Sequence, residues 1–161
     1  MSLDVAWGHM PRHWLSFWNQ KTRARQRRTG TARTSTNGAH IHVPYGQDKL
    51  AKGDSVYRVA VEEGELWLFG RVIVGRMAED PEHAESLDIW AEPGTETTWC
   101  EDDCVVDGSV VDELVYLDAD GTEHRMPRDA SGRLVPDAFQ GRSSIRELAR
   151  GSEALDQLAE A

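Results

Sequence analysis

Two consecutive segments, Ser55–Glu63 and Glu65–Met77, constrain the fold of this 161-residue chain more than any other part of its sequence. Both are rich in β-branched and aromatic residues, and only a tight turn centred on Gly64 separates them. This pattern predicts two antiparallel strands joined as a hairpin. The chain is therefore expected to be built mainly from β-strands.

Other segments have the composition of short strands. His13–Trp18 is dominated by aromatic residues and is too short for a helix, and a period of two places Trp14, Ser16 and Trp18 on one face. The remaining predicted strands are Ala39–Gly46, which Pro44 interrupts, a strand within Glu85–Glu92, and a second hairpin over Glu113–Met126 that turns at Asp118–Gly121.

Helix signals are concentrated near the end of the chain. Ser144 and Glu147 form a capping box that predicts a helix ending at Gly151, and Ser152 can cap a second helix with Leu155 inward. The expected fold class is α+β, mainly β. The expected divisions are an N-terminal extension at 1–12, a main domain at 13–142 and a C-terminal helical segment at 143–161.

The composition suggests a soluble, cytoplasmic protein without a cofactor. No run of about 18 apolar residues exists to span a bilayer, and the order of charged and apolar residues typical of a signal peptide is missing. Cys100 and Cys104 form a lone CxxxC pair, whereas a structural zinc site needs four ligands. We therefore expect two reduced thiols and no metal.

Motifs for catalysis are missing from the sequence. There is no GxSxG nucleophile elbow, no activated-cysteine signature and no phosphate-binding GxxxxGK[ST] or GxGxxG loop. Carboxylates are so abundant after residue 60 that no pair of them is informative. The sequence favours a binding protein over an enzyme.

The charges are unevenly distributed, although the whole chain carries a net charge of −10. Residues 1–60 hold ten Lys or Arg against three Asp or Glu, while residues 61–161 hold eight against twenty-five. Such polarity suggests a basic surface for a polyanion. The alternative is a solvated loop whose arginines pair with surface acids. The candidate phosphate contacts are Lys21, Arg23, Arg25, Arg27, Arg28 and Arg33.

Six tryptophans are more than a small core requires. Trp67 lies in the middle of a predicted strand and is expected in the core. Trp14, Trp18, Trp90 and Trp99 have polar neighbours, and for these four a binding face and core packing are both open. Tryptophan rings can stack on an unstacked base, each worth about 1–3 kcal/mol.

The order of segments resembles the PUA-like superfamily, in particular its EVE and YTH-type domains. The resemblance is carried by HWLSFWNQ, LAKGDSVYRVAV and ELWLFGRVIVGRM, with FQGRSSIREL as a later element. It implies a small curved sheet or barrel with a few helices that binds RNA or DNA. In the EVE and YTH branches a modified base sits in an aromatic pocket.

Carried over by position, the resemblance assigns base hydrogen bonds to Ser16 and Asn19 and aromatic walls to Tyr45 and Trp90. With the flanking tryptophans, the candidate base pocket is Ser16, Trp18, Asn19, Tyr45, Trp90 and Trp99. This chain departs from the family in having an Arg/Thr-rich segment where helical structure is usual. It also lacks the Lys/Thr pattern of the related ASCH-type amidohydrolases, which further weakens the enzyme hypothesis.

The sequence therefore predicts a nucleic-acid-binding protein. DNA is preferred over RNA, and 5-methylcytosine is the first choice of base; both preferences come from the resemblance. The alternatives are a protein-interaction module that docks an acidic partner and a small hydrolase of nucleotides or modified bases. The oligomeric state is not predictable from this sequence.

Overall fold

A computed structural model describes residues 10–18, 39–42, 50–79, 86–91, 105–118, 121–135 and 145–160. Within these ranges eight strands form one curled, half-barrel sheet in the order β2-β5-β4-β3-β1-β8-β6-β7, accompanied by two helices. The predicted mainly-β, α+β fold with a curved sheet is thus confirmed. The elements are β1 His13–Trp18, β2 Ala39–His42, β3 Ser55–Glu62, β4 Glu65–Glu79, β5 Ser86–Ala91, α1 Gly108–Glu113, β6 Val115–Leu117, β7 Glu123–Arg125, β8 Ile145–Arg150 and α2 Ser152–Glu160.

The predicted central hairpin is confirmed. β3 and β4 pair antiparallel from Glu62 with Glu65 at the turn to Ser55 with Ile73 at the far end. Glu63 and Gly64 form the turn with φ of 54° and 77°. A positive φ at both central residues matches the right-handed twist of paired strands, which is why two-residue hairpin turns favour it.

The helix predicted from the capping box at Ser144 and Glu147 is wrong. Residues Ile145–Arg150 form β8, which pairs antiparallel with β1 on one side and β6 on the other. Hydrogen bonding along both edges outweighs the weak local preference for a helix. The first part of the predicted helical segment at 143–161 therefore belongs to the sheet. The second predicted helix is confirmed as α2, which follows Gly151 with a φ of 99°.

The main hydrophobic core lies on one face of the sheet, where α1 and α2 also contribute. β3 supplies Tyr57, Val59 and Val61 to this core. The alternate residues of β3, which face the other side, are also buried. A strand buried on both faces is typical of the centre of a domain. The remaining core residues are Leu15, Phe17, Leu66, Leu68, Val106, Val111, Leu114, Met126, Leu134, Leu148 and Leu155.

A buried carboxylate joins the beginnings of β1 and β3. Asp54 is fully buried and accepts hydrogen bonds from the backbone N–H groups of Arg12 (2.9 Å) and Ala51 (3.0 Å). The indole N–H of Trp14 donates to the same carboxylate at 3.0 Å. Gly53, with a φ of 90°, donates its N–H to the carbonyl of Val74 in β4. The GD turn thus ties β1, β3 and β4 together.

Among the described residues, no helix has both the length and the apolar character that crossing a membrane requires.

Candidate functional site

Three in-register residues form a row across the middle of the sheet. The parallel β1–β3 pair aligns Ser16 with Arg58, and the antiparallel β3–β4 pair aligns Arg58 with Gly70. Partners in neighbouring strands lie on the same face, opposite to the face that carries Tyr57. We call Ser16, Arg58 and Gly70 the central row. It consists of one long cationic side chain between two of the smallest residues.

Tryptophans occur in both neighbouring rows. In the row two residues before Ser16 and Arg58, Trp14 of β1 is aligned with Val56 of β3. In the row two residues after them, Trp18 is aligned with Ala60. The second of these rows continues on β4 with Trp67, which is half-buried. Successive rows are about 6.6 Å apart, because a strand rises about 3.3 Å per residue. The central row therefore lies between two rows that carry aromatic residues.

A β-bulge adjoins the central row. Arg58 is paired with Gly70, but the next residue, Val59, is paired with Leu68, so Phe69 is an extra residue in β4. Bulges bend the strand and are over-represented next to functional sites. Glycine at position 70 leaves the β4 side of Arg58 without a side chain.

Arg58 places a positive charge inside the sheet. Its exposed fraction is 1%, and that of Ser16 is 6%. Burial lowers the pKa of the Arg58 guanidinium to about 9, which leaves it a cation at neutral pH. Burying a charge costs several kcal/mol unless it is paired and hydrogen-bonded. Arg58 has an interaction partner within the protein, which offsets part of this cost.

A second polar cluster lies on the opposite face and joins α2 to the sheet. The Tyr57 hydroxyl donates to Asp156 Oδ1 at 2.7 Å, and Arg71 donates to the same oxygen at 2.9 Å. Because its proton goes to Asp156, Tyr57 accepts from His13 Nδ1 at 3.0 Å. Burial and then the Asp156 carboxylate raise the pKa of Tyr57 well above its ordinary value. A neutral phenol of this kind is a structural donor and a poor acid.

The predicted base pocket is only partly covered by the described residues. Ser16 lies in the central row and Trp18 ends β1. Trp90 lies in β5, paired with Arg76, and β4 and β3 separate it from β1. Three strand spacings correspond to about 14 Å along a sheet. The other residues predicted for the site lie outside the described ranges. They are Asn19, Tyr45 and Trp99, predicted for the pocket, and Lys21, Arg23, Arg25, Arg27, Arg28 and Arg33, predicted to contact phosphates.

Sequence reasoning missed two members of the central row, Arg58 and Gly70. A signal was present, because Arg58 is the one charged residue within the apolar run Val56–Val61. Alternation along this run predicts one wholly apolar face and one face with a lone cation.

Within the described ranges, no three His, Cys, Asp or Glu side chains are grouped so that they could hold a metal ion. Comparisons with protein-family models, with characterised proteins and with solved structures find no match to this chain. The resemblance to PUA-like domains therefore stays a prediction.

Proposed function

We propose that this protein binds nucleic acid, DNA in the first place, and holds one extruded base in an aromatic pocket beside the end of β1. The observation that supports this best is the charge of the segment between β1 and β2, which carries six Lys or Arg and no Asp or Glu in a chain of net charge −10. Base recognition needs polar groups for the base edge and aromatic or apolar surface for its faces.

The preferred base in this proposal is 5-methylcytosine. A methyl group adds only a few apolar atoms, so burial and dispersion against apolar residues can detect it without a charge. In duplex DNA the base first has to leave the stack, which costs a few kcal/mol.

The basic segment between β1 and β2 would contact the phosphates. Its first cation, Lys21, follows the last residue of β1 by three positions, and no acid occurs between Arg12 and Arg33. Lys21 follows Ser16 by five positions, and five residues of extended chain span at most about 18 Å, which limits how far this cation can lie from a base held beside Ser16. Phosphate contacts would position the strand, and the aromatic pocket would select the base.

The test compares two triple charge reversals of equal net charge. Fluorescence anisotropy with labelled DNA and RNA oligonucleotides measures Kd as a function of salt. In the first variant Arg25, Arg27 and Arg28 become Glu, and in the control three exposed arginines elsewhere, Arg125, Arg133 and Arg150, become Glu.

We expect the first variant to lose more than tenfold in affinity and to flatten the log–log salt slope by about 2.7, the value for three lost contacts to duplex phosphates. The control should lose much less. Equal losses would indicate a net-charge effect only and would remove the basic segment from the proposal. A parent protein without salt-dependent oligonucleotide binding would overturn the proposed function and favour the protein-interaction alternative.

A further inference from the structure

We infer that Trp67 supplies a stacking surface for the extruded base. This inference rests on the proposed function and assigns one wall of its aromatic pocket to a residue that the sequence predicts for the core. It follows from the row in which Trp67 lies, from the exposed part of that row and from the face of the sheet on which the row stands.

Trp67 belongs to a row of apolar residues that begins at the last residue of β1. Register aligns Trp18 of β1 with Ala60 of β3, and Ala60 with Trp67 of β4. On its other side Trp67 forms an isolated antiparallel bridge with Val105. Aligned residues of neighbouring strands lie on the same face of a sheet. We call Trp18, Ala60, Trp67 and Val105 the tryptophan row.

The tryptophan row is accessible to solvent at its β4 end. Trp67 is half-buried, and Val105 is 39% exposed although it is apolar. The indole N–H of Trp67 donates to the backbone carbonyl of Glu62 at 3.3 Å. An indole N–H points along the plane of the ring, so this hydrogen bond orients the indole without using a ring face. Stacking on a base uses a ring face, and it is therefore compatible with the bond to Glu62.

Trp90 lies on the opposite face of the sheet. The face that carries Ser16 continues along β4 to Val74 by alternation. Val74 is aligned with Ala91, and Trp90 is the neighbour of Ala91 in β5, so Trp90 lies on the other face. Of the tryptophans on β4 and β5, Trp67 is the one on the face of Ser16.

Two carboxylates orient a nucleotide at the tryptophan row. Glu62 and Glu65 are paired at the hairpin turn and lie two residues beyond Ala60 and Trp67, on the same face. These carboxylates repel phosphates, whereas the basic segment follows Trp18 at the other end of the row. The sugar–phosphate backbone is therefore directed to the β1 side, and the base is directed towards Trp67.

The test compares Trp67→Leu with Trp90→Leu, the same substitution on the opposite face. Leucine keeps an apolar side chain and removes the aromatic ring. Fluorescence anisotropy measures Kd for two single-stranded oligonucleotides that differ at one central position, which carries either 5-methylcytosine or an abasic site. Circular dichroism and thermal melting check that each variant is folded.

Folded Trp67→Leu should bind the 5-methylcytosine oligonucleotide about 5- to 150-fold more weakly than the parent protein, the range for one lost stacking contact. Its affinity for the abasic oligonucleotide should change by less than about threefold, because no base is present to stack. Trp90→Leu should change both affinities by less than about threefold.

Folded Trp67→Leu with the parent's affinity, or with equal losses for both oligonucleotides, would overturn the inference and leave nucleic-acid binding standing. A loss as large in Trp90→Leu would also overturn it. A parent protein that binds neither oligonucleotide would overturn the proposed function as well. If Trp67→Leu does not fold, Trp67→Phe, which keeps a smaller ring, decides: its preference for 5-methylcytosine over the abasic site should fall at least about twofold, and an unchanged preference would overturn the inference.

Discussion

Replacing Asp54 by alanine should destabilise the sheet where β1, β3 and β4 meet. The Asp54 carboxylate is fully buried and accepts three hydrogen bonds, from Arg12 N–H, Ala51 N–H and the Trp14 indole. Alanine removes the acceptor and leaves all three donors in place. A buried donor without a partner costs more than the hydrogen bond itself contributed.

The magnitude follows from the environment of each donor. The two backbone donors are partly buried, and we assign about 1 kcal/mol to each, while the buried indole N–H is assigned about 2 kcal/mol. The expected loss is about 4 kcal/mol in the free energy of unfolding. For a chain of this length that corresponds to a fall in Tm of roughly 8–16 °C. Asp54→Asn keeps one acceptor oxygen and should lose about half as much.

Urea denaturation followed by tryptophan fluorescence measures the loss directly. The control is Asp112→Ala, which removes an equal charge from a side chain that is 69% exposed and paired with Arg128. It should change stability by no more than about 1 kcal/mol. If Asp54→Ala were no more destabilising than the control, the carboxylate would not hold these strands together.

Three further substitutions test other parts of the fold. Trp67→Ala should cost about 2 kcal/mol by urea denaturation, less than for a fully buried tryptophan, because Trp67 is only half-buried. Gly64→Ala should destabilise the protein by at least about 1 kcal/mol more than Gly121→Ala. Both glycines have positive φ, but a Cβ at Gly64 would lie 2.7 Å from Arg133 Cβ, whereas a Cβ at Gly121 would have no atom within 4 Å. Equal losses of stability would contradict that contact. Tyr57 has a raised pKa in the folded state, so its contribution to stability is complete below its ordinary pKa and is lost as pH rises above about 10. In Tyr57→Phe the free energy of unfolding should therefore fall less steeply above that pH than in the parent protein. Parallel plots of unfolding free energy against pH for the two proteins would contradict the buried hydrogen bond.

Alternating or apolar runs made the larger part of the sheet predictable from sequence. β1, β2, β3, β5, β6 and β7 lie within segments that the sequence predicts as strands, and β4 extends from Glu65 to Glu79, two residues beyond its predicted end at Met77. α1 has six residues and only one of them, Val111, is buried, so it leaves almost no periodic signal. Its signal is local: the Asp107 side chain accepts from Ser109 N–H at 2.9 Å and caps the helix.

β8 shows why spacing alone misled the prediction. Ile145 and Leu148 are three positions apart, a spacing that places both on one face of a helix. In a strand the same spacing places them on opposite faces, and both residues are buried because β8 lies within the sheet, with β1 and β6 on either side. The spacing of apolar residues in a short segment cannot distinguish a helix with one buried face from a strand that is buried on both faces.

The curvature of the sheet and the composition of the central row depend on the same strand. β4 is 15 residues long and contains two bulges, one next to Arg58 and one between Val74 and Arg76. Gly70 lies at the first bulge and Gly75 at the second. Glycine is frequent where a strand bends. At position 70 the absence of a side chain has a second consequence, because Gly70 is the cross-strand partner of the buried Arg58. Gly70 is itself buried, so a larger residue there would crowd Arg58 as well as alter the bend. The curvature of β4 and the packing around Arg58 are therefore constrained by one residue.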